Sequence, residues 1–249
     1  MIKQDNLFSI AQETVTDFNF DAAVADVLPD MLRRSIPGYD NIITMLGTLA
    51  GGYAKNNTRI YDLGCSLGAA TLSVHRYTRA LSLQHICVDN SAAMIKRCQS
   101  KLQRHMPASS LELICDDIQS IKIENASVVL LNFTLQFLPK ETRLQLLKTI
   151  YAGLVGGGVL ILSEKLVFSD LSVNQQFIDW HHEFKRANGY SDLEISQKRA
   201  ALENVMIPDT FELHQQRLAE AGFSQTLQWF QAFNFSSLIA LKNNTHSIQ

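Results

Sequence analysis

The sequence predicts an α/β protein built on a doubly wound, mostly parallel, Rossmann-like sheet that closes with a C-terminal antiparallel hairpin. Three observations predict it. From residue 59 onward, short runs rich in Ile, Val and Leu alternate with stretches of helical spacing, the pattern of strands covered on both faces by crossover helices. The first of these runs ends in Asp62-Leu63-Gly64-Cys65-Ser66-Leu67-Gly68, a turn whose glycines let a strand reverse into a helix N-terminus. The last two apolar runs, 225–232 and 235–241, are separated by a turn near Asn234, which joins them as a hairpin.

The totals bound the answer further. A chain of 249 residues fits one domain, here 1–249, with a helical extension over about 1–52 and a helical insertion over about 165–209. With 46% hydrophobic residues, 18% charged residues and a net charge of −2, nothing in the composition draws the chain to nucleic acid or to an anionic membrane. Direct nucleic-acid binding is therefore not expected. Cys65, Cys87, Cys98 and Cys115 form no C-x-x-C pair and suit a reducing compartment. The N-terminus lacks an apolar signal core, and no run reaches the ~18 apolar residues of a membrane span. The expected location is the cytoplasm.

In order along the chain, residues 1–20 lack periodicity and read as an extended arm. Asp21 to Ser35 has helical spacing, with Val24, Val27, Leu28, Met31 and Leu32 on one side and Pro29 as an interruption or a second start. Pro37-Gly38-Tyr39-Asp40 is a turn, after which Asp40 or Asn41 can cap a helix running to Gly51-Gly52. Strands are expected at 59–63, 85–89, 111–115, 127–133 and 159–164, with helices near 69–80, 91–104 and 139–153 and a short link at 118–126. Gly156-Gly157-Gly158 reads as a helix stop before the fifth strand. The insertion splits into helices near 173–187 and 193–205, a length that suits a lid or a subunit contact. Thr210 to Ala221 forms a helix ended by Gly222. Five parallel strands closed by a hairpin make the seven-stranded sheet of methyltransferase-like folds, not the half-sheet of a dinucleotide dehydrogenase.

Ligands in such sheets bind beyond the carboxyl ends of the strands, where strand order reverses. An acid two residues before Gly64 matches S-adenosylmethionine sites, in which it suits the ammonium of the methionine moiety. Ser66 stands where the usual middle glycine would be, which disfavours a pyrophosphate. Asp89-Asn90 ends the second strand, placed to accept both ribose hydroxyls or, alternatively, to cap the next helix. Asp116-Asp117-Ile118 ends the third, where a carboxylate and a backbone N–H can read adenine while the isoleucine covers a ring face. Two solvated acids capping a loop are the plainer alternative. Asn132 ends the fourth strand, and a polar side chain within an apolar run needs a partner. His181-His182-Glu183 lacks the spacing of a zinc helix, so no metal is expected. No Ser-His-Asp or Cys-His arrangement can be placed, and the catalytic residues stay unassigned.

Three longer segments narrow the reading: Arg33-Arg34-Ser35-Ile36-Pro37-Gly38-Tyr39, His182-Glu183-Phe184-Lys185-Arg186-Ala187-Asn188-Gly189-Tyr190-Ser191, and Gln197-Lys198-Arg199-Ala200-Ala201-Leu202-Glu203-Asn204-Val205-Met206. With them the chain resembles the bacterial carboxy-S-adenosyl-L-methionine synthase family, within the class I methyltransferase-like superfamily, over nearly its whole length. The resemblance implies that S-adenosyl-L-methionine and prephenate become carboxy-S-adenosyl-L-methionine and phenylpyruvate. It implies a homodimer, and a partner transfer-RNA carboxymethyltransferase that uses the product at the wobble uridine. It implies ligand-binding roles for Tyr39, Gly64, Cys65, Ser66, Asp89, Asn90, Asp117, Ile118, Asn132 and Arg199. Arg199 would clamp the added carboxylate, since a planar guanidinium holds a carboxylate through two hydrogen bonds; a solvated residue paired with Glu194 or Glu203 is the alternative. An ordinary S-adenosylmethionine-dependent methyltransferase would share the sheet and the cofactor turn but leave the Arg199 segment without a role.

Overall fold

The computed structural model describes residues 3–244. One seven-stranded sheet runs through the molecule in the order β3-β2-β1-β4-β5-β7-β6. Its strands are β1 Arg59–Leu63, β2 Gln84–Asp89, β3 Leu111–Cys115, β4 Ala126–Asn132, β5 Leu154–Lys165, β6 Gln225–Ala232 and β7 Phe235–Leu241. The β1, β2, β3, β4 and β5 neighbours pair in parallel, while β7 pairs antiparallel with both β5 and β6. The chain winds outward from β1 to β3, then restarts beside β1 with β4. That reversal opens a crevice at the carboxyl ends of β1 and β4.

The described residues form eight α-helices: α1 Ala22–Ser35, α2 Tyr39–Tyr53, α3 Ala69–Tyr77, α4 Ala92–Leu102, α5 Lys140–Gly153, α6 Leu171–Ala187, α7 Asp192–Leu202 and α8 Phe211–Ala221. Strand alternation sends Ile60, Val128, Leu130, Val159 and Ile161 to one face, packed with Leu46 and Ala50 of α2 and Ala70 and Val74 of α3. Tyr61, Val129, Leu131, Leu160 and Leu162 face the other way, onto Leu146, Leu147 and Ile150 of α5 and Leu218 of α8. Because both faces are dry, β4 and β5 read as continuous apolar runs.

Three expectations about boundaries need correction. Helix α2 starts at Tyr39 on Gly38 (φ 73°), not on an Asp40 or Asn41 cap. Strand β4 stops at Asn132, because Phe133 turns into the left-handed region at φ 60°. Strand β5 begins at Leu154, and Gly156–Gly158 lie inside it, where the Gly157 N–H donates to Lys242 O.

The arm, residues 3–20, has no helix or strand of its own but is tied down. The Phe18 N–H donates to Ala201 O, and the Gln12 N–H donates to Gln197 Oε1, both on α7. Asp5 is 2% exposed, accepting from Tyr190 Oη at 2.5 Å and pairing with Lys198 Nζ at 3.3 Å. The insertion and the arm therefore form one cap over the carboxyl edge of the sheet. No helix among the described residues is long and apolar enough to cross a membrane.

Candidate active site

A cavity of about 730 Å³ lies at the reversal point, between the strand ends and the cap. Its floor is the turn after β1. Gly64 sits at φ 78°, and a Cβ there would stand 2.5 Å from the side chain of Thr134, so only glycine admits the loop after β4. Ser66, in the place of the missing glycine, also adopts left-handed backbone at φ 49°. A residue with a Cβ is strained in that region by ~1 kcal/mol. The Ser66 N–H donates to Asp89 Oδ2 at 2.9 Å, which ties the turn to the end of β2.

Asp62 lines the same cavity from β1 and is 3% exposed. It accepts from the backbone N–H of Thr71 at 3.1 Å and from Thr71 Oγ1 at 2.6 Å, which fixes its carboxylate against α3. Burial pushes its pKa up to about 7, with the Cys87 thiol adding to the effect and the Thr71 bonds opposing it. Tyr39 stands close by, its hydroxyl pushed to a higher pKa by burial and by the Asp62 charge.

Asp89 and Asn90 line the cavity at the end of β2. Asp89 Oδ1 accepts from Ser91 N, while Ser91, not Asp89 or Asn90, caps α4 through its hydroxyl. Asp117 is exposed at the rim, where its carboxylate accepts from Gln119 N and caps a short 3-10 turn; Ile118 beside it is buried. Asn132 presents a buried Oδ1 that no group among the described residues satisfies. A buried acceptor without a donor costs about 1–3 kcal/mol.

Register links these groups. Asp62 pairs with Leu130, two residues before Asn132, and Asn132 pairs with Ser163, two residues before Lys165. Because side chains two apart share a face, Asp62, Asn132 and Lys165 step across one face of the sheet at its carboxyl edge.

A methyltransferase-domain family model matches residues 60–158. A carboxy-S-adenosyl-L-methionine synthase of Vibrio cholerae serotype O1 is 56% identical over 97% of this chain and 98% of its own. One of Shewanella halifaxensis is 56% identical over 96% of this chain and 98% of its own. The chain belongs to the carboxy-S-adenosyl-L-methionine synthase family. The crystal structure of human N-acetylserotonin methyltransferase shares its fold with this family member, at TM-score 0.61 and 14% identity over 90% of this chain and 56% of that one.

Nine of the ten residues expected at the ligand line this one cavity, from Tyr39 through the Gly64–Ser66 turn to Asn132. The tenth, Arg199, lies on the exposed face of α7 and outside the lining, although its charge helps to lower the pKa of Lys165 and His182. His181 and His182 part company: His181 is buried with Nε2 2.8 Å from Ser35 O, and His182 is not. Among the described residues, no three His, Cys, Asp or Glu side chains gather to hold a metal.

The cavity also holds groups that sequence reasoning on this family member missed. Phe18 and Phe20 reach it from the arm, and Lys165, Lys185 and Lys198 from β5, α6 and α7. The lysines carried a usable signal. Lys198 falls three residues after Ile195 and three before Ala201, on the apolar stripe of its helix, whereas Arg199 falls beside it.

Proposed function

We propose that this chain converts S-adenosyl-L-methionine and prephenate into carboxy-S-adenosyl-L-methionine and phenylpyruvate. The observation that carries this reading is 56% identity over 97% of the chain to a synthase of that product. The cavity fits the first substrate in kind. Asp62 and the free Asn132 Oδ1 suit its ammonium, Asp89 its ribose hydroxyls, and Asp117 with Ile118 the edge and face of adenine. Tyr39 and the backbone of Gly64, Cys65 and Ser66 border the methionine moiety in this reading, with Asn90 next to the ribose.

The chemistry balances without a protein nucleophile. Prephenate loses its ring carboxylate as carbon dioxide, and the ring becomes aromatic as its hydroxyl departs as hydroxide. Hydroxide can take a proton from the sulfonium methyl, whose acidity the adjacent positive sulfur provides. The carbanion then attacks carbon dioxide, giving the carboxymethyl sulfonium, phenylpyruvate and water. The protein contributes position, charge and exclusion of bulk water. The product passes to a partner transfer-RNA carboxymethyltransferase in the cytoplasm.

Incubating the purified protein with both substrates tests the reading. A ligand heavier than S-adenosylmethionine by one carbon dioxide, with phenylpyruvate formed in equal amount, supports it; an unmodified cofactor and no phenylpyruvate overturn it. Calorimetric titration of both forms of the cofactor tests two residues. Asp89→Ala is expected to weaken both by about 1–3 kcal/mol, the range for lost hydrogen bonds to a charge. Arg199, assigned to the added carboxylate by family resemblance, should affect only the carboxylated form when changed to alanine. Equal losses there would remove that assignment.

The chain also forms a homodimer in this reading. The support is α6, which leaves Leu171 83% exposed and Trp180 44% exposed beside the stacked pair Phe168 and Phe177. Such an apolar surface favours a partner, and a monomer by sedimentation at micromolar concentration would count against it.

A further inference from the structure

Three lysines from three different elements meet in the cap end of the cavity. Lys185 on α6 is 7% exposed and Lys198 on α7 is 4% exposed, while Lys165 at the end of β5 is half-buried. Among the described residues neither Lys165 nor Lys185 has a carboxylate within ion-pair distance. Lys198 Nζ is 3.3 Å from Asp5 Oδ2, which also accepts from Tyr190, and 3.1 Å from Ser35 Oγ. His181 adds no negative charge, and Arg199 brings one more positive charge to the same neighbourhood. Asp62 and Asp89, the other buried acids of the cavity, stand at the ends of β1 and β2. Lys198 also lies near Asp30 and Arg34, and Lys165 near Arg199, so the three ammonium groups outnumber the carboxylates around them.

Ammonium groups are not left buried and unpaired without cost. Burial and mutual repulsion show in their acidity: Lys185 is pulled down to about 7, and Lys165 and Lys198 to about 8. Such a cluster is held out of water by a fold that gains nothing from it until an anion arrives. That surplus of positive charge suits an anion carrying more than one negative charge.

We propose that Lys165, Lys185 and Lys198 form the seat for a dianionic carboxyl donor, with Lys165 taking the carboxylate nearest the sulfonium. This rests on the reading of the reaction given above. Lys165 earns the inner place because it stands on the same sheet face as Asn132, one strand over and at the carboxyl edge. Lys185 and Lys198 hold the second carboxylate under the cap. During the reaction the inner carboxylate leaves the donor as neutral carbon dioxide and reappears as a carboxylate on the former methyl carbon, still beside Lys165. The donor residue keeps one carboxylate and therefore has only the outer pair left to hold it. Phenylpyruvate should accordingly bind more weakly than prephenate.

The test titrates prephenate, and then phenylpyruvate, into protein saturated with S-adenosylhomocysteine, which has no reactive methyl. Wild type should bind prephenate at least tenfold more tightly than phenylpyruvate. Lys185→Met and Lys165→Met should each weaken prephenate by about ten- to a hundredfold, the scale of a lost buried charge pair. Their affinity for S-adenosylhomocysteine should stay within about twofold, which shows that the fold and the nucleoside end are intact. Lys165→Met should also erase most of the preference for prephenate over phenylpyruvate, whereas Lys185→Met should weaken both. Unchanged prephenate affinity in both variants overturns the seat, even in a protein that forms the carboxylated product. A wild type that forms no carboxylated product yet binds prephenate through these lysines keeps the seat and rejects the reaction.

Discussion

Replacing Asp209 with alanine is expected to lower stability by about 3–5 kcal/mol, the scale for breaking a buried ion pair from one side. Asp209 closes the insertion, and its side chain is fully buried. Its Oδ2 accepts from Arg143 Nη1 at 2.5 Å and from Arg217 Nη1 at 2.9 Å. Lys140 Nζ stands 3.4 Å from the other oxygen. Burial raises the pKa of this carboxyl, but the two guanidinium groups outweigh it and the net shift is downward. Arg143 is itself 0% exposed and donates to the carbonyls of Gln136, Leu138 and Ile207. Removing Asp209 leaves that guanidinium buried with dipoles but no counter-charge. At roughly 2–4 °C per kcal/mol for a chain of this size, the melting temperature should fall by about 6–20 °C. Asp209→Asn, which keeps the shape, should fall by less. A change under about 2 °C for the alanine variant would refute the account.

The same cluster explains what could and could not be read from the sequence. Strands β6 and β7 were legible to the residue, since their aromatic and aliphatic runs are bounded by a turn. The start of β5 was not. Three glycines signal a helix stop, but Leu154 pairs with Ala126 of β4, and just beyond β7 the Gly157 N–H finds Lys242 O. Pairing partners far away in sequence decided that boundary. The strand-end side of the cavity was legible because it is local, each lining group sitting at the end of its own strand. The cap end was not, because it is made by convergence. Asp5, Arg143 and Asp209 are buried charges, and a lone sequence assigns such residues to water. Their burial becomes reasonable only once their partners, between eight and 193 positions away, are known.

Affinity for S-adenosylmethionine should fall steeply as pH drops from 7.5 to 6, and Asp62 should be the cause. Burial pushes this carboxyl up to a pKa of about 7. A raised pKa in an acid means that the protonated form is favoured below that value, so the charge available to the ligand's ammonium is lost as pH falls through 7. If only the ionised form binds, each further unit of acidity costs a factor approaching ten in affinity, about 1.4 kcal/mol. The ligand's own amino group ionises near 7.7–8.0 in model compounds, so its charge is nearly constant across the lower part of this window and the sign is set by the protein. Asp62→Asn preserves the space and can still accept from Thr71, but it carries no charge at any pH. That variant should bind about ten- to a hundredfold more weakly at pH 7.5, on the scale of a lost charged hydrogen bond, and its affinity should be flat down to pH 6. Asp89, whose pKa is also raised by burial, is assigned to uncharged ribose hydroxyls in the proposed reading and is not expected to add a slope. A wild-type affinity that does not change between pH 7.5 and 6, or an Asn variant with the full slope, would place the ammonium elsewhere in the cavity.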